Sequence, residues 1–129
     1  MTSSKKANAY GTAAERKAAA EYRLTIEGVH NYWRDAVMQD GTPVEIKAAM
    51  VQRADGSEGR FRVFEKAHDE LQTTDGRYVF VAYRVRGRGI QVLQTRMIHA
   101  SQLPGSTWYS AGGHRNSRQR KITINDIMQ

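Results

Sequence analysis

The order of apolar periodicities along this chain points to a single mixed α/β domain, a central mixed β-sheet flanked by helices. Three features carry that expectation. A helical apolar stripe comes first, and a hairpin with a glycine turn follows. A second helical stripe then leads into two adjoining strands rich in β-branched and aromatic residues. With 129 residues and 40% hydrophobic content, the chain can bury one small core. We place the domain at residues 11–129 and expect residues 1–10, MTSSKKANAY, to form a flexible basic arm. That arm lacks the apolar stretch of a secretory signal.

The first helix is expected from about Ala13 to Glu27. Thr12-Ala13-Ala14-Glu15 fits a capping box, with Thr12 as the N-cap and Glu15 three residues on. Ala14, Ala18, Tyr22 and Ile26 recur every fourth residue and form one stripe, and Gly28 is the expected stop. Two alternating runs then flank Asp40-Gly41. A two-residue turn there would place Asp35 among Val44, Ile46 and Ala48, and an unpaired carboxylate among apolar groups is costly. A three-residue loop, Gln39-Asp40-Gly41 with Gly41 in the left-handed region, pairs Met38 with Thr42, Ala36 with Val44 and Asp35 with Glu45. Only that register leaves the apolar face clean, so it is the one expected.

Further along, Phe61 and Val63 mark a short strand. Phe64, Ala67, His68 and Leu71 form a helical stripe that ends near Thr73, with His68 packed in the core. Tyr78 to Val85 is the strongest strand in the chain, Gly87-Arg88-Gly89 turns it, and Ile90 to Leu93 returns beside it. A short helix is expected near Met97 to Leu103, a basic loop from Gly105 to Lys121, and a closing strand or turn over Ile122 to Ile127.

Charge narrows the class of partner. Twenty Lys and Arg against thirteen Asp and Glu give a net charge of +7, and the pI is near 10.0. Such a field favours a polyanion, nucleic acid above all. The candidate contacts are Lys5 and Lys6 on the arm, Arg16 and Lys17 on the first helix, and Arg84, Arg86 and Arg88 at period two toward a strand end. Arg115, Arg118, Arg120 and Lys121 follow Trp108 and Tyr109 in the basic loop. No apolar run is long enough to span a membrane. No phosphate loop or dinucleotide fingerprint occurs, so no nucleotide cofactor is expected. The absence of cysteine excludes disulfides and thiolate metal sites, and we expect a cytoplasmic protein.

Four residues carry the candidate chemistry: Glu15, Asp35, Glu45 and Lys47. Asp35 and Glu45 lie opposite one another on the hairpin, where paired Cβ atoms are about 4.5–5.5 Å apart. Two carboxylates that close repel unless a cation lies between them. Magnesium accepts such hard oxygen ligands and keeps several waters. Lys47 follows two residues after Glu45 on the same face, roughly 6–7 Å along the strand. An ammonium there can hold an attacking water or offset charge building on a phosphate.

Asp35, then Glu45-Ile46-Lys47, with the upstream helical Glu15, resembles the PD-(D/E)XK nuclease superfamily. Gly11 to Arg16, GTAAER, is similar to the N-terminal motif of archaeal Holliday junction resolvases. One position departs from the pattern, since Arg34 stands where the family usually has proline. The resemblance implies a restriction-endonuclease-like fold and an endonuclease that hydrolyses DNA with Mg²⁺, Mn²⁺ being a plausible substitute. The products would be a 5′-phosphate and a 3′-hydroxyl. It also implies that Asp35, Glu45 and the Ile46 carbonyl hold the metal, that Glu15 is the third acid and that Lys47 is the catalytic lysine. Branched DNA is the leading substrate expectation, with restriction-, repair- or nicking-type cleavage as the alternative. A homodimer is expected because cutting two strands in concert calls for two symmetry-related sites. The rival reading is a non-catalytic nucleic-acid-binding module on the same scaffold.

Overall fold

The computed structural model describes residues 2–28, 31–110 and 117–128, with side chains from Ala9 onward. The chain runs α1 (Thr2–Tyr22), β1 (Thr25–Ile26), β2 (Ala36–Val37), β3 (Pro43–Met50), β4 (Arg60–Phe64), α2 (Glu65–Thr73), β5 (Arg77–Arg86) and β6 (Gly89–His99). A 3-10 turn (Ala100–Gln102), β7 (Tyr109–Ser110), β8 (Arg118–Thr123) and a one-turn α3 (Ile124–Ile127) complete it. The expected central sheet is present, with five strands in the order β1-β2-β3-β5-β6, mixed because β3 and β5 are parallel. A second sheet of three strands, β4-β8-β7, was not foreseen. Among the described residues no helix is long and apolar enough to cross a membrane.

The first helix departs from expectation at both ends. It starts at Thr2, so residues 2–10, read as an arm, are its opening turns. Thr12 and Glu15 consequently lie in the helix interior, where backbone N–H groups already have partners, and the capping box is not one. The sequence TSSKKANAY has no proline to stop a helix, and Gly11 weakens it by only about 1 kcal/mol relative to alanine. The far end stops at Tyr22, six residues before Gly28. Arg23 adopts the left-handed conformation (φ 56°), and the Leu24 N–H returns to the Ala19 carbonyl at 2.9 Å. This closes the helix as glycine commonly does. Leu24 is buried beside Ala14 and Ala18, so burial of this apolar residue holds an unfavourable backbone angle in place. Ile26 leaves the predicted stripe and is 41% exposed in β1.

The hairpin has the expected register. Ala36 pairs with Val44, the Met38 N–H donates to the Thr42 carbonyl at 2.8 Å and Gly41 has φ 88°. Ala36, Val44 and Ile46 therefore share one face with Val79 and Val81, and α1 packs on it through Ala14 and Ala18. The opposite face carries Ala49, Tyr78, Phe80 and Ala82, and packs against Phe61 and Val63 of β4 and Ile122 of β8. Phe61 and Phe80 meet edge-on, 4.8 Å between centroids. The second sheet thus covers the face that bears Glu45 and Lys47.

Two close approaches fix this packing. The Gly59 N–H donates to the Met50 carbonyl at 3.0 Å, and a side-chain carbon on Gly59 would sit 2.0 Å from that oxygen. This contact ties the end of β3 to the start of β4. At the end of α2, Asp75 takes the left-handed angle, while the Gly76 N–H returns to the Leu71 carbonyl at 2.7 Å. A Cβ on Gly76 would lie 2.4 Å from the Leu71 side chain, so glycine is needed there for room.

Candidate active site

β3 begins after the Asp40-Gly41 turn and places Glu45 and Lys47 on the face covered by the second sheet. Glu45 pairs with Tyr78 and Lys47 with Phe80 on β5. The Lys47 ammonium lies 3.9 Å from Glu45 Oε1 and 5.9 Å from the Phe64 ring centroid. Glu45 is only 6% exposed. Burial pushes its carboxyl up to about 7. The Lys47 ammonium pulls it down, and the Asp35 and Glu15 carboxylates push it up again. Asp35, Glu45, Lys47 and Glu15 thus form one electrostatic unit, with Glu15, half-buried on α1, the weakest of the contributors.

Asp35 is held by the strand it faces. Its Oδ2 accepts the Ile46 N–H at 2.8 Å, and its own N–H donates to the Val44 carbonyl at 2.8 Å. Antiparallel ladders bond alternate residues, so a ladder continued past Ala36–Val44 would give the Ile46 N–H to the Arg34 carbonyl. The carboxylate takes that bond instead, and β2 is only two residues long. The Ile46 main chain, whose N–H and C=O both face the β2 side, therefore opens onto Asp35. Arg34, the departure from the family pattern, has a defined role in this arrangement. Its Nε lies 2.7 Å from Glu27 Oε1 and its NH2 donates to Glu27 Oε2 at 3.1 Å. Together with the Glu27 N–H to the Asp35 carbonyl at 3.1 Å, this ties the β1 end to Asp35.

Behind Glu45, Tyr78 is fully buried, and its hydroxyl bonds to His68 Nδ1 at 2.8 Å. Burial and the nearby Glu45 carboxylate raise the phenol's pKa, so it stays protonated. His68 is buried against the Tyr78 and Trp108 rings, and burial and then Arg120 lower its pKa. It is the packed core histidine that the apolar stripe implied. Among the described residues no three His, Cys, Asp or Glu side chains converge into a group able to cage a metal by themselves.

The expected nucleic-acid contacts scatter. Arg16 and Lys17 are exposed on α1. Arg84 and Arg86 are exposed near the end of β5 on the face of Phe80 and Ala82, and Arg88 is exposed in the following turn. Arg84 donates to Gln91 Oε1 at 2.7 Å. Arg118 is exposed and makes a two-point pair with Glu65, at 2.8 and 2.7 Å. The side chains of Lys5 and Lys6, and all of Arg115, lie outside the described residues. Arg120 is a correction. It is 9% exposed, its guanidinium lies 4.1 Å from the Trp108 ring centroid, and it donates to the Pro104 and Gly105 carbonyls at 3.0 and 3.1 Å. The segment 118–123 is a strand and not a loop, and strand alternation turns Arg120 inward while Lys121 faces out.

Sequence reasoning missed the cations beside this site. Arg53, Arg60 and Arg62 join Lys121 around a cavity of about 440 Å³ that adjoins Ala48 and Ala49 of β3. The alternation Arg60-Phe61-Arg62-Val63 was the available signal, since it places both arginines on one side of a strand whose other side is core.

The arrangement can therefore do two things. It keeps a buried carboxylate under the influence of two others with an ammonium 3.9 Å away, and it adjoins a cavity lined by four cations. No curated protein matches the chain significantly. The sequence profile described as the PD-(D/E)XK nuclease superfamily domain matches residues 1–129. With that match over the whole sequence, and with a mixed sheet flanked by helices of the restriction-endonuclease-like kind, the chain belongs to the PD-(D/E)XK nuclease superfamily.

Proposed function

We propose that the protein is a metal-dependent endonuclease that hydrolyses phosphodiester bonds of DNA, with branched DNA such as four-way junctions as its leading substrate. The observation that carries this reading is the buried Glu45 carboxylate, crowded by Asp35 and Glu15 and relieved only in part by Lys47. A carboxyl raised by burial and by two neighbouring carboxylates is one whose ionised form a divalent cation would stabilise. Asp35, Glu45 and the Ile46 carbonyl would hold Mg²⁺, or Mn²⁺ in its place, and Glu15 adds negative charge from the α1 side. The chemistry such an ion supplies when bound is polarisation of a phosphoryl oxygen and a lower pKa for water.

The chain's own residues account for the rest. The Ile46 N–H fixes the Asp35 carboxylate, so its orientation does not depend on a ligand being present. The cover formed by the second sheet excludes water from Glu45. Lys47 offers its ammonium to the attacking water or to charge developing on the phosphate. Water oxygen bonds to phosphorus as the bond to the 3′-oxygen breaks, leaving a 5′-phosphate and a 3′-hydroxyl that takes up the proton. Each chain cuts one strand, so paired cleavage is the work of a homodimer.

A cleavage panel tests this. Four-way junction, flap, nicked duplex and linear duplex DNA are each incubated with Mg²⁺, Mn²⁺ or a chelator. The expected result is metal-dependent cutting, strongest on the junction, which Asp35→Asn and Lys47→Ala abolish while binding is retained. Unchanged cutting by both variants refutes the site. Binding with no cutting on any substrate favours a non-catalytic module. Preference for an unbranched duplex moves the reading to a restriction-, repair- or nicking-type enzyme.

A further inference from the structure

The outward face of the second sheet carries a feature that the fold does not explain. Arg60 and Arg62 alternate with the buried Phe61 and Val63 and point away from the core. Arg62 is paired directly with Lys121 across β4 and β8. Like charges placed opposite one another in an antiparallel pair destabilise it. Arg53 joins them at the cavity of about 440 Å³, whose other lining residues are Ala48, Ala49, Met50, Gly59 and Tyr83, with no acid among them. None of these four cations forms an ion pair among the described residues, and the one carboxylate seen to act on any of them at longer range is Asp55, on Arg53.

The position of this face is as informative as its charge. The cavity begins at Ala48, the residue after Lys47. Phe64, on the same outward alternation as Arg62 and Arg60, lies beside the Lys47 ammonium. At a strand rise of about 3.3 Å per residue, the row from Phe64 through Arg62 to Arg60 extends roughly 13 Å from the active site. At an axial rise of about 3.4 Å per nucleotide, that is the reach of about four nucleotides of one strand. Tyr109, 63% exposed, pairs with Gln119 on the same sheet and gives it an aromatic edge.

We infer that Arg53, Arg60, Arg62 and Lys121 form a second, phosphate-binding subsite that grips the backbone of the nucleic-acid strand on one side of the cleaved bond. The naming of the ligand as a nucleic-acid strand rests on the proposed nuclease function; the existence of a polyanion site rests on the cavity and its uncompensated charge. The subsite tracks phosphates and contacts no base edge, so it contributes affinity and register without reading sequence. The Gly59–Met50 contact holds it in fixed relation to β3, which carries Glu45 and Lys47.

Binding of a fluorescein-labelled DNA duplex, with the same sequence in single-stranded form as a second probe, is the test. It is measured across salt concentrations on full-length Asp35→Asn protein, so that cleavage does not interfere. The variant Arg60→Ala/Arg62→Ala/Lys121→Ala should weaken binding at least about tenfold and flatten the plot of log affinity against log salt by about 2–3 units, the loss of three phosphate contacts. The charge-preserving set Arg60→Lys/Arg62→Lys/Lys121→Arg should keep both, which separates charge from folding. An unchanged salt slope in the alanine variant overturns the subsite. A protein that cuts nothing yet loses its salt slope in this variant upholds the subsite and sinks the nuclease reading. One that cuts normally with the subsite removed does the reverse.

Discussion

Replacing Glu45 with glutamine should make the protein more stable while destroying its activity, and the size of the gain follows from the site. The carboxyl is raised from 4.5 to about 7, chiefly by burial. Folded protein therefore keeps the proton up to about pH 7, while the unfolded chain releases it near 4.5. Between those values the unfolded state binds fewer protons, so stability falls as pH rises through the window. At 1.36 kcal/mol per unit, about 2.5 units amount to roughly 3 kcal/mol by pH 8. Glutamine removes that cost, which already includes the pull of the Lys47 ammonium 3.9 Å away, and sets a buried amide in its place, whose imperfect hydrogen bonding takes back up to about 1 kcal/mol. The net gain is about 2–3 kcal/mol at pH 8. For 129 residues, at roughly 2.1 cal/mol/K of unfolding entropy each, this corresponds to a rise in Tm of about 7–11 °C. At pH 5 wild-type Glu45 is already largely protonated, and the difference should shrink below about 1 kcal/mol. Thermal denaturation of both proteins at pH 5 and pH 8 in chelator reads this directly. Added Mg²⁺ at pH 8 should raise the Tm of wild type and leave that of Glu45→Gln unmoved, because the cation binds only the ionised carboxylate. A variant no more stable than wild type at pH 8, or a gain of equal size at pH 5, refutes the reasoning that burial and crowded carboxylates set the behaviour of Glu45.

Three further outcomes follow from the packing. Gly59→Ala should destabilise the protein by about 3 kcal/mol or more in urea denaturation, because the added carbon meets the Met50 carbonyl oxygen at 2.0 Å and backbone must move. Arg23→Gly should stabilise by up to about 1 kcal/mol, since the left-handed angle at 56° is costly for arginine and free for glycine; a loss of stability on the same denaturation curve would show that the side chain matters more than the angle. Arg120→Leu should lower stability by about 2 kcal/mol through loss of its carbonyl partners and its stacking on Trp108, yet leave the salt dependence of DNA binding unchanged, the opposite of what a phosphate contact would do.

How far the site was legible can be argued residue by residue. The hairpin register followed from one demand, that Asp35 not lie among Val44, Ile46 and Ala48, and the Ala36–Val44 pairing satisfies it. Period two is rigid, so a single costly placement decides every neighbour. Helix ends were harder. Thr12 and Glu15 have the spacing of a cap, but spacing does not say whether the preceding residues are helical, and TSSKKANAY is compatible with both states. Arg23 at a left-handed angle has no local signature, because its reason is the burial of Leu24 against a distant strand. Arg120 and Lys121 looked alike in a basic run, and only the pairing of β8 with β4 separates the inward residue from the outward one. The second sheet was missed for the same reason. Two of its strands, β4 and β8, lie more than fifty residues apart, as the pairing of Phe61 with Ile122 shows, and no short-range pattern encodes that partnership.

Asp35 has one more consequence. By occupying the Ile46 N–H it acts as a stopper that keeps the hairpin from zipping farther. Any residue there without an acceptor would hand that N–H back to the Arg34 carbonyl, and the ribbon would gain a rung at the place where Asp35 now stands. Efforts to toughen this protein by lengthening its shortest strands would therefore come at the expense of the carboxylate that keeps them short.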